Sequence, residues 1–177
     1  EELKFSHHLI IPGCVNSHSH AFQILLRDQG HHPLNFSDWV DRFLYPLVLS
    51  LDEEKLYQSA LQAFSEMLLH GITTVGEFFY VHHRANGRPI GNQHAEIILQ
   101  AAQKAGIRIA LLRTLYDTAK KEGQQCFQES TEEAIHYTEQ IYQQYHKNPF
   151  ISVIPAPHSL HGASKEMILA GVQLAQK

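Results

Sequence analysis

Leu9-Ile10-Ile11-Pro12-Gly13-Cys14-Val15-Asn16-Ser17-His18-Ser19-His20-Ala21-Phe22-Gln23 is an apolar run that ends in two histidines separated by one residue. Side chains two apart on a strand project from one face, so a strand over Leu9 to Ser17 presents His18 and His20 together at its C-terminal end. Two imidazoles placed in this way can hold a single metal ion. Pro12-Gly13 opens the strand. A chain with 14 histidines can also carry a His-x-His pair by chance, so the surroundings of the pair decide its meaning.

Outward from that strand, short β-branched runs alternate with longer helical stretches, the pattern of parallel βα units. A polar loop from Asp28 to Pro33 precedes a helix that Ser37 is placed to cap and that runs through Asp38-Trp39-Val40-Asp41-Arg42-Phe43-Leu44. A second helix starts at Asp52, with Leu56, Ala60, Ala63, Phe64, Met67 and Leu68 at helical spacing. It ends at Gly71, where glycine can take the left-handed conformation that stops a helix. A strand follows over Ile72 to Phe79, then a loop through Asn86-Gly87-Arg88-Pro89 and a helix from about Gln93 to Lys104, closed by Gly106. A third strand spans Ile107 to Leu112. After a long polar loop, Ser130 and Glu133 have capping-box spacing for a helix reaching about Lys147. Phe150 to Pro155 makes a fourth strand, and Ser164 caps the last helix.

Four βα units make half of a (β/α)8 TIM barrel, in which chemistry sits at the C-terminal ends of the strands. The residues after the four strands are polar, aromatic and rich in histidine. Strand one delivers His18, His20 and Gln23; strand two Glu77, Tyr80, His82 and His83; strand three Arg113 and Tyr116; strand four His158 and His161. His70, His94, His136 and His146 fall on helices or at their ends and read as structural or surface groups. Tyr80 has an alternative as a core aromatic, His82 and His83 as loop histidines and Gln23 as a helix cap. Glu77 reads as a polar group at the barrel rim. Pro155 and Pro157 fix the backbone around His158.

Composition narrows the function classes. A hydrophobic content of 44% and a charged content of 18% describe a globular chain. The net charge of −4 and the absence of a run of like charges provide no basic face, so no nucleic acid and no membrane surface is expected as a partner. No apolar run approaches the ~18 residues of a membrane span. Cys14 and Cys126 suggest neither a disulfide framework nor a cysteine metal site, and a reducing cytoplasm fits. The chain starts at Glu1-Glu2 without an initiating methionine, as a piece of something longer would.

The motif Pro12-Gly13-Cys14-Val15-Asn16-Ser17-His18-Ser19-His20 resembles the metal-binding signature of the amidohydrolase superfamily, in its deaminase branch. Within that branch, Ser19-His20-Ala21-Phe22-Gln23, Glu77-Phe78-Phe79-Tyr80-Val81-His82-His83 and Ala156-Pro157-His158-Ser159-Leu160 are similar to the formimidoylglutamate deiminases. The stretch from Phe36-Ser37-Asp38-Trp39 to Gly71-Ile72-Thr73-Thr74 is also similar to the S-adenosylhomocysteine and methylthioadenosine deaminases and to triazine hydrolases.

The resemblance implies a barrel of the metal-dependent hydrolase type, with residues 9–177 its N-terminal half and residues 1–8 a remnant of a small β-sandwich domain. It implies one divalent metal, zinc with iron as the alternative, held by His18 and His20 together with ligands beyond residue 177, where the proton-shuttling Glu is also expected. It further implies that Gln23, Tyr80, His158 and His161 face a small-molecule substrate, and that the full-length protein is a homodimer. The implied reaction is hydrolytic attack of a metal-activated water on an amidine-type carbon with release of ammonia, on a substrate such as N-formimino-glutamate. One departure is His161, where the formimidoylglutamate enzymes carry an Arg; an Arg fork grips a carboxylate bidentately, whereas a His offers one donor. Two alternatives therefore stand beside this reading. One is an amidohydrolase acting on a heterocyclic amine of purine, pterin or triazine type, and the other is a catalytically inactive half-barrel.

Overall fold

The computed structural model describes residues 5, 7–29 and 35–177. Most of the Asp28–Pro33 loop and most of the 1–8 segment lie outside these. The described residues form one parallel sheet in the order β1 (Cys14–Ser19), β2 (Ile72–Phe79), β3 (Arg108–Leu115), β4 (Ile151–Pro157). Each strand is followed by helix. After β1 come a 3₁₀ turn (Ala21–Leu26), α1 (Phe36–Trp39), a π-helical turn (Val40–Leu44), α2 (Tyr45–Ser50) and α3 (Glu53–Leu69). After the other strands come α4 (Gln93–Ala105), α5 (Thr131–Tyr145) and α6 (Lys165–Ala175). Strands in sequential order joined by helices on one face are four consecutive units of a (β/α)8 barrel.

The two faces of the sheet differ as a barrel wall requires. Val75 and Phe79 on β2 and Ile109, Leu111 and Leu115 on β3 are buried against the helices. Phe78, Leu112 and Ile154 align across β2, β3 and β4 on the other face, where Ile154 remains 42% exposed; Val15 on β1 is 67% exposed. Burial of a large side chain such as Phe22, Phe64 or Phe79 stabilises by roughly 1.5–3 kcal/mol, which weights the outer core heavily.

Several elements differ from expectation for identifiable reasons. β1 starts at Cys14 rather than Leu9, since Pro12 cannot donate to a ladder and the first pairing bond is Cys14 N–H to the Gly71 carbonyl. Asn35, not Ser37, caps the first helix: its side chain accepts from the Asp38 N–H at 2.9 Å. That helix continues to Ser50 through a π turn, in which the Tyr45 N–H reaches back to the Val40 carbonyl. The wider turn lies immediately before Pro46, whose ring would strike the carbonyl four residues back in a regular α-helix. β3 runs on to Leu115, so Arg113 lies inside the strand instead of after it, and β4 runs to Pro157. Cys126, in the loop after β3, is buried. β2, α4 with Gly106 at its C-cap, the Ser130–Glu133 capping box and the Ser164 cap stand as read.

The pairing of β1 with β2 has an irregularity that matters for the site. Asn16 pairs with Val75 and Ser19 with Glu77, so β1 holds one residue more than β2 between these points. This β-bulge reverses the alternation. Asn16 faces α3, where its amide meets the Met67 sulfur at 3.9 Å, while His18, within the bulged stretch, faces the barrel interior and stacks on Phe78. Gly76 lies against the bulge, and a Cβ there would come within 2.7 Å of the Ser17 carbonyl oxygen.

Candidate active site

The first residues after the four strands are His20, Tyr80, Tyr116 and His158. Their rings gather at the C-terminal end of the sheet. The centroid distances are 5.2 Å for His20 to Tyr80, 6.2 Å for Tyr80 to His158 and 4.9 Å for Tyr116 to His158. They line a cavity of about 810 Å³ that also takes in His18, Gln23 and His161, so all six residues singled out as metal or substrate contacts border one space.

His18 and His20 bring their Nε2 atoms to 3.1 Å from each other. Two imidazole nitrogens bound about 2.0–2.1 Å from one tetrahedral zinc stand roughly 3.3 Å apart, so the pair fits two positions of such a site. The His20 Nδ1–H donates to the Phe78 carbonyl at 2.8 Å. A carbonyl only accepts, so the proton of the neutral ring sits on Nδ1 and Nε2 keeps its lone pair for a metal. Burial lowers the His20 pKa, and His18 and His158 add to this against the raising effect of the Phe78 hydrogen bond. His20 is therefore neutral at pH 7, as a ligand must be. Among the described residues no group of three or more His, Cys, Asp or Glu side chains is placed to share a metal.

Gln23, on the 3₁₀ turn, donates its side-chain amide to the Tyr80 hydroxyl at 2.9 Å. Its carbonyl oxygen is left as an acceptor and the Tyr80 hydroxyl as a donor. Tyr80 is packed between Phe22 and Phe127, and burial raises its pKa beyond the ordinary tyrosine value. His158 is held by the Ser159 hydroxyl at 3.0 Å, and its pKa is lowered by burial and then by His161. His161 is exposed on the same loop, which the strand-three side pins: the Thr118 hydroxyl donates to the His161 carbonyl at 2.7 Å, and the Asp117 N–H to the Gly162 carbonyl at 2.9 Å. The described lining contains no Asp, Glu, Lys or Arg.

Four residues expected at the strand ends are elsewhere. Arg113 points to the helix side, fully buried, with two N–H groups on the Glu129 carboxylate at 2.7 and 2.8 Å and Nε on the Asn92 side-chain oxygen at 3.1 Å. His82 donates to the Thr114 carbonyl at 2.7 Å and His83 to the Gln128 carbonyl at 2.8 Å, so the first ties the loop after β2 to β3 and the second ties it to the loop before α5. Glu77 is not at the rim: it is buried with 0% exposure beneath the 3₁₀ turn, and burial pushes its pKa up to about 7 against the opposing pull of the Ala21 N–H and the Ser19 hydroxyl. Conversely, Trp39, Tyr45, Gln124 and Phe127 line the cavity without having been anticipated. They come from the helical wall after β1 and the loop after β3, and their only advance signal was Trp39 in the Phe36-Ser37-Asp38-Trp39 stretch.

The sequence profile described as "Amidohydrolase family" matches residues 9–177. A formimidoylglutamate deiminase from Pseudomonas aeruginosa is 41% identical over 122 residues, which cover 65% of this chain and 26% of that protein. An amidohydrolase structure from Brucella melitensis superposes with a TM-score of 0.82 at 31% identity, covering 93% of this chain and 39% of that one. An adenosine deaminase structure from Xanthomonas campestris with bound zinc has a TM-score of 0.75 at 22% identity, covering 93% and 34%. The chain thus spans between a quarter and two fifths of the length of these relatives.

Proposed function

This chain belongs to the amidohydrolase family, and on that premise we propose that the whole protein is a zinc-dependent deaminase that hydrolyses an amidine-type C–N bond of a small molecule and releases ammonia. The observation that carries this reading is the His18–His20 pair, with Nε2 atoms 3.1 Å apart on the wall of a cavity that Gln23, Tyr80, His158 and His161 share. His18 and His20 would hold the metal. Bound there, a zinc ion supplies a Lewis acid and brings the pKa of a water from 15.7 towards ~7.

The chain's own residues then position the substrate. The Gln23 carbonyl accepts from the N–H groups of a formimino end, the Tyr80 hydroxyl donates next to it, and the hydrogen bond between the two holds their spacing. His158 meets the substrate farther along, and His161 stands at the outer edge of the same loop. The 41% identity to a formimidoylglutamate deiminase supports an N-formimino-glutamate-like substrate. A second reading, a planar heterocyclic amine, is favoured by the lining itself. The wall is aromatic, His161 replaces an Arg fork, and no fixed cation lines the described part of the cavity to meet a carboxylate.

The test is elemental analysis of the full-length protein beside a His18→Ala/His20→Ala double variant, with ammonia release assayed on N-formimino-glutamate and on adenosine. About one zinc per chain, lost in the double variant, and turnover of the formimino compound are the expected results. Iron in place of zinc would change the metal alone. Turnover of adenosine would select the heterocyclic reading, and metal retained without both histidines would refute the site.

A further inference from the structure

We propose that Glu77 is a positioning residue for His20, holding from the helix side of β2 the backbone that carries this imidazole into the cavity. The inference rests on the metal-site reading above. Glu77 is fully buried, and no cationic side chain among the described residues is paired with it. Its Oε1 accepts the Ala21 N–H at 2.7 Å, the Ser19 hydroxyl acts on the same carboxyl, and Oε2 has no hydrogen-bond partner among the described residues. Ser19 and Ala21 flank His20. The next residue on the strand, Phe78, takes the His20 Nδ1–H on its carbonyl. Two consecutive residues of β2 therefore grip three consecutive residues of β1 and the turn after it.

Packing alone does not account for such a side chain. A buried carboxyl with one oxygen unpartnered costs folding free energy that a leucine in the same space would not. The acceptor is placed where the strand most needs it. The bulge between Asn16 and Ser19 breaks the regular ladder and the strand ends at Ser19, so strand pairing does not dictate the direction of His20 and Ala21. At Ala21 the chain turns into a 3₁₀ helix, and its N-cap, His20, has no side-chain capping bond. The Glu77 carboxyl supplies the acceptor that such a turn otherwise draws from a cap.

The experiment compares Glu77→Gln, Glu77→Asp and Glu77→Leu in the full-length protein. Zinc affinity is measured by competition with a chromophoric chelator, and the urea stability of the metal-free form is measured separately. Glu77→Gln keeps an acceptor at the same reach and holds zinc within about threefold of the parent. Glu77→Leu leaves the metal-free protein as stable or more stable and weakens zinc roughly 10- to 100-fold, the usual effect of losing an outer-shell partner. Glu77→Asp, one methylene too short for the Ala21 N–H, weakens zinc at least severalfold and decides the matter should Glu77→Leu not fold. Parent-like zinc affinity in the Leu or Asp variant overturns the proposal, as does a loss that merely tracks lost stability. If the His18/His20 double variant keeps its zinc, the metal-site reading fails first; if only the Glu77 variants keep it, the positioning role alone fails.

Discussion

Replacing Arg113 with methionine separates a role in the site from a role in the fold. Arg113 and Glu129 are each 0% exposed at the side chain, joined by two charge-assisted hydrogen bonds, with Asn92 on the Arg113 Nε and the Tyr137 ring centroid 5.8 Å from the guanidinium carbon. Burial opposes the Glu129 carboxylate, but the hydrogen bonds and the charge of Arg113 outweigh it and lower its pKa. Burial also drives the His82 pKa down to about 3, so at pH 7 His82 is neutral and only Arg113 neutralises Glu129. Arg113→Met therefore leaves a buried, uncompensated carboxylate, and the expected loss is about 3–5 kcal/mol. Arg113→Met/Glu129→Leu removes both charges and leaves the Asn92 side-chain oxygen short of one hydrogen bond, at about 1–2 kcal/mol. The double variant should lie within about 2 kcal/mol of the parent, so the coupling is at least about 1 kcal/mol. Urea unfolding of the full-length parent, Arg113→Met, Glu129→Leu and the double variant gives the four free energies of the cycle, and kcat/KM per folded molecule should be the same in all. A single-variant cost under about 1 kcal/mol, or costs that simply add, would refute the buried-pair reasoning; a raised KM in fully folded Arg113→Met would return Arg113 to the site.

Three further outcomes follow from the geometry. Between about pH 6.5 and 3 the unfolded chain binds a proton at His82 that the folded chain excludes, so stability falls as the pH falls through this window, by up to about 5 kcal/mol for this group; acid titration of urea midpoints should show the slope, and it should flatten in His82→Asn. Gly76→Ala places a Cβ 2.7 Å from the Ser17 carbonyl oxygen, costs about 1–3 kcal/mol and reduces zinc uptake by shifting the bulged stretch that carries His18, both readable by unfolding and elemental analysis. Tyr80→Phe keeps the ring between Phe22 and Phe127 but removes the hydroxyl that holds Gln23, so kcat/KM should drop about tenfold with stability changed by about 1 kcal/mol or less.

What was legible in the sequence followed from local chemistry. β2 and α5 show their bounds because Gly71, Ser130 and Glu133 act on the backbone within a few residues of themselves. His18 and His20 were legible as a pair because a period of two survives in the last residues of a strand. Which way they point was not, since the bulge depends on how β1 meets Gly76, 58 residues from His18. Arg113 and Glu77 misled for a related reason. Polar residues near a strand end read as rim groups, yet both sit on the helix-facing register and find partners in Glu129 and Ala21. The cavity wall from Trp39 to Tyr45 was hidden because neither a period of two nor of 3.6 describes a π turn.

The extra residue in the Val40–Leu44 turn gives this wall a freedom that β1 lacks. Adding or removing one residue there converts between wide and regular helix and rotates α1 by about 100° relative to α2 and α3. Phe36 and Trp39, stacked at 6.3 Å, would swing across the cavity mouth as a unit while His18, His20 and the sheet stayed in place. Libraries that vary the length of this one turn should therefore reshape the cavity wall, and a change in selectivity among amines is expected before a change in zinc content.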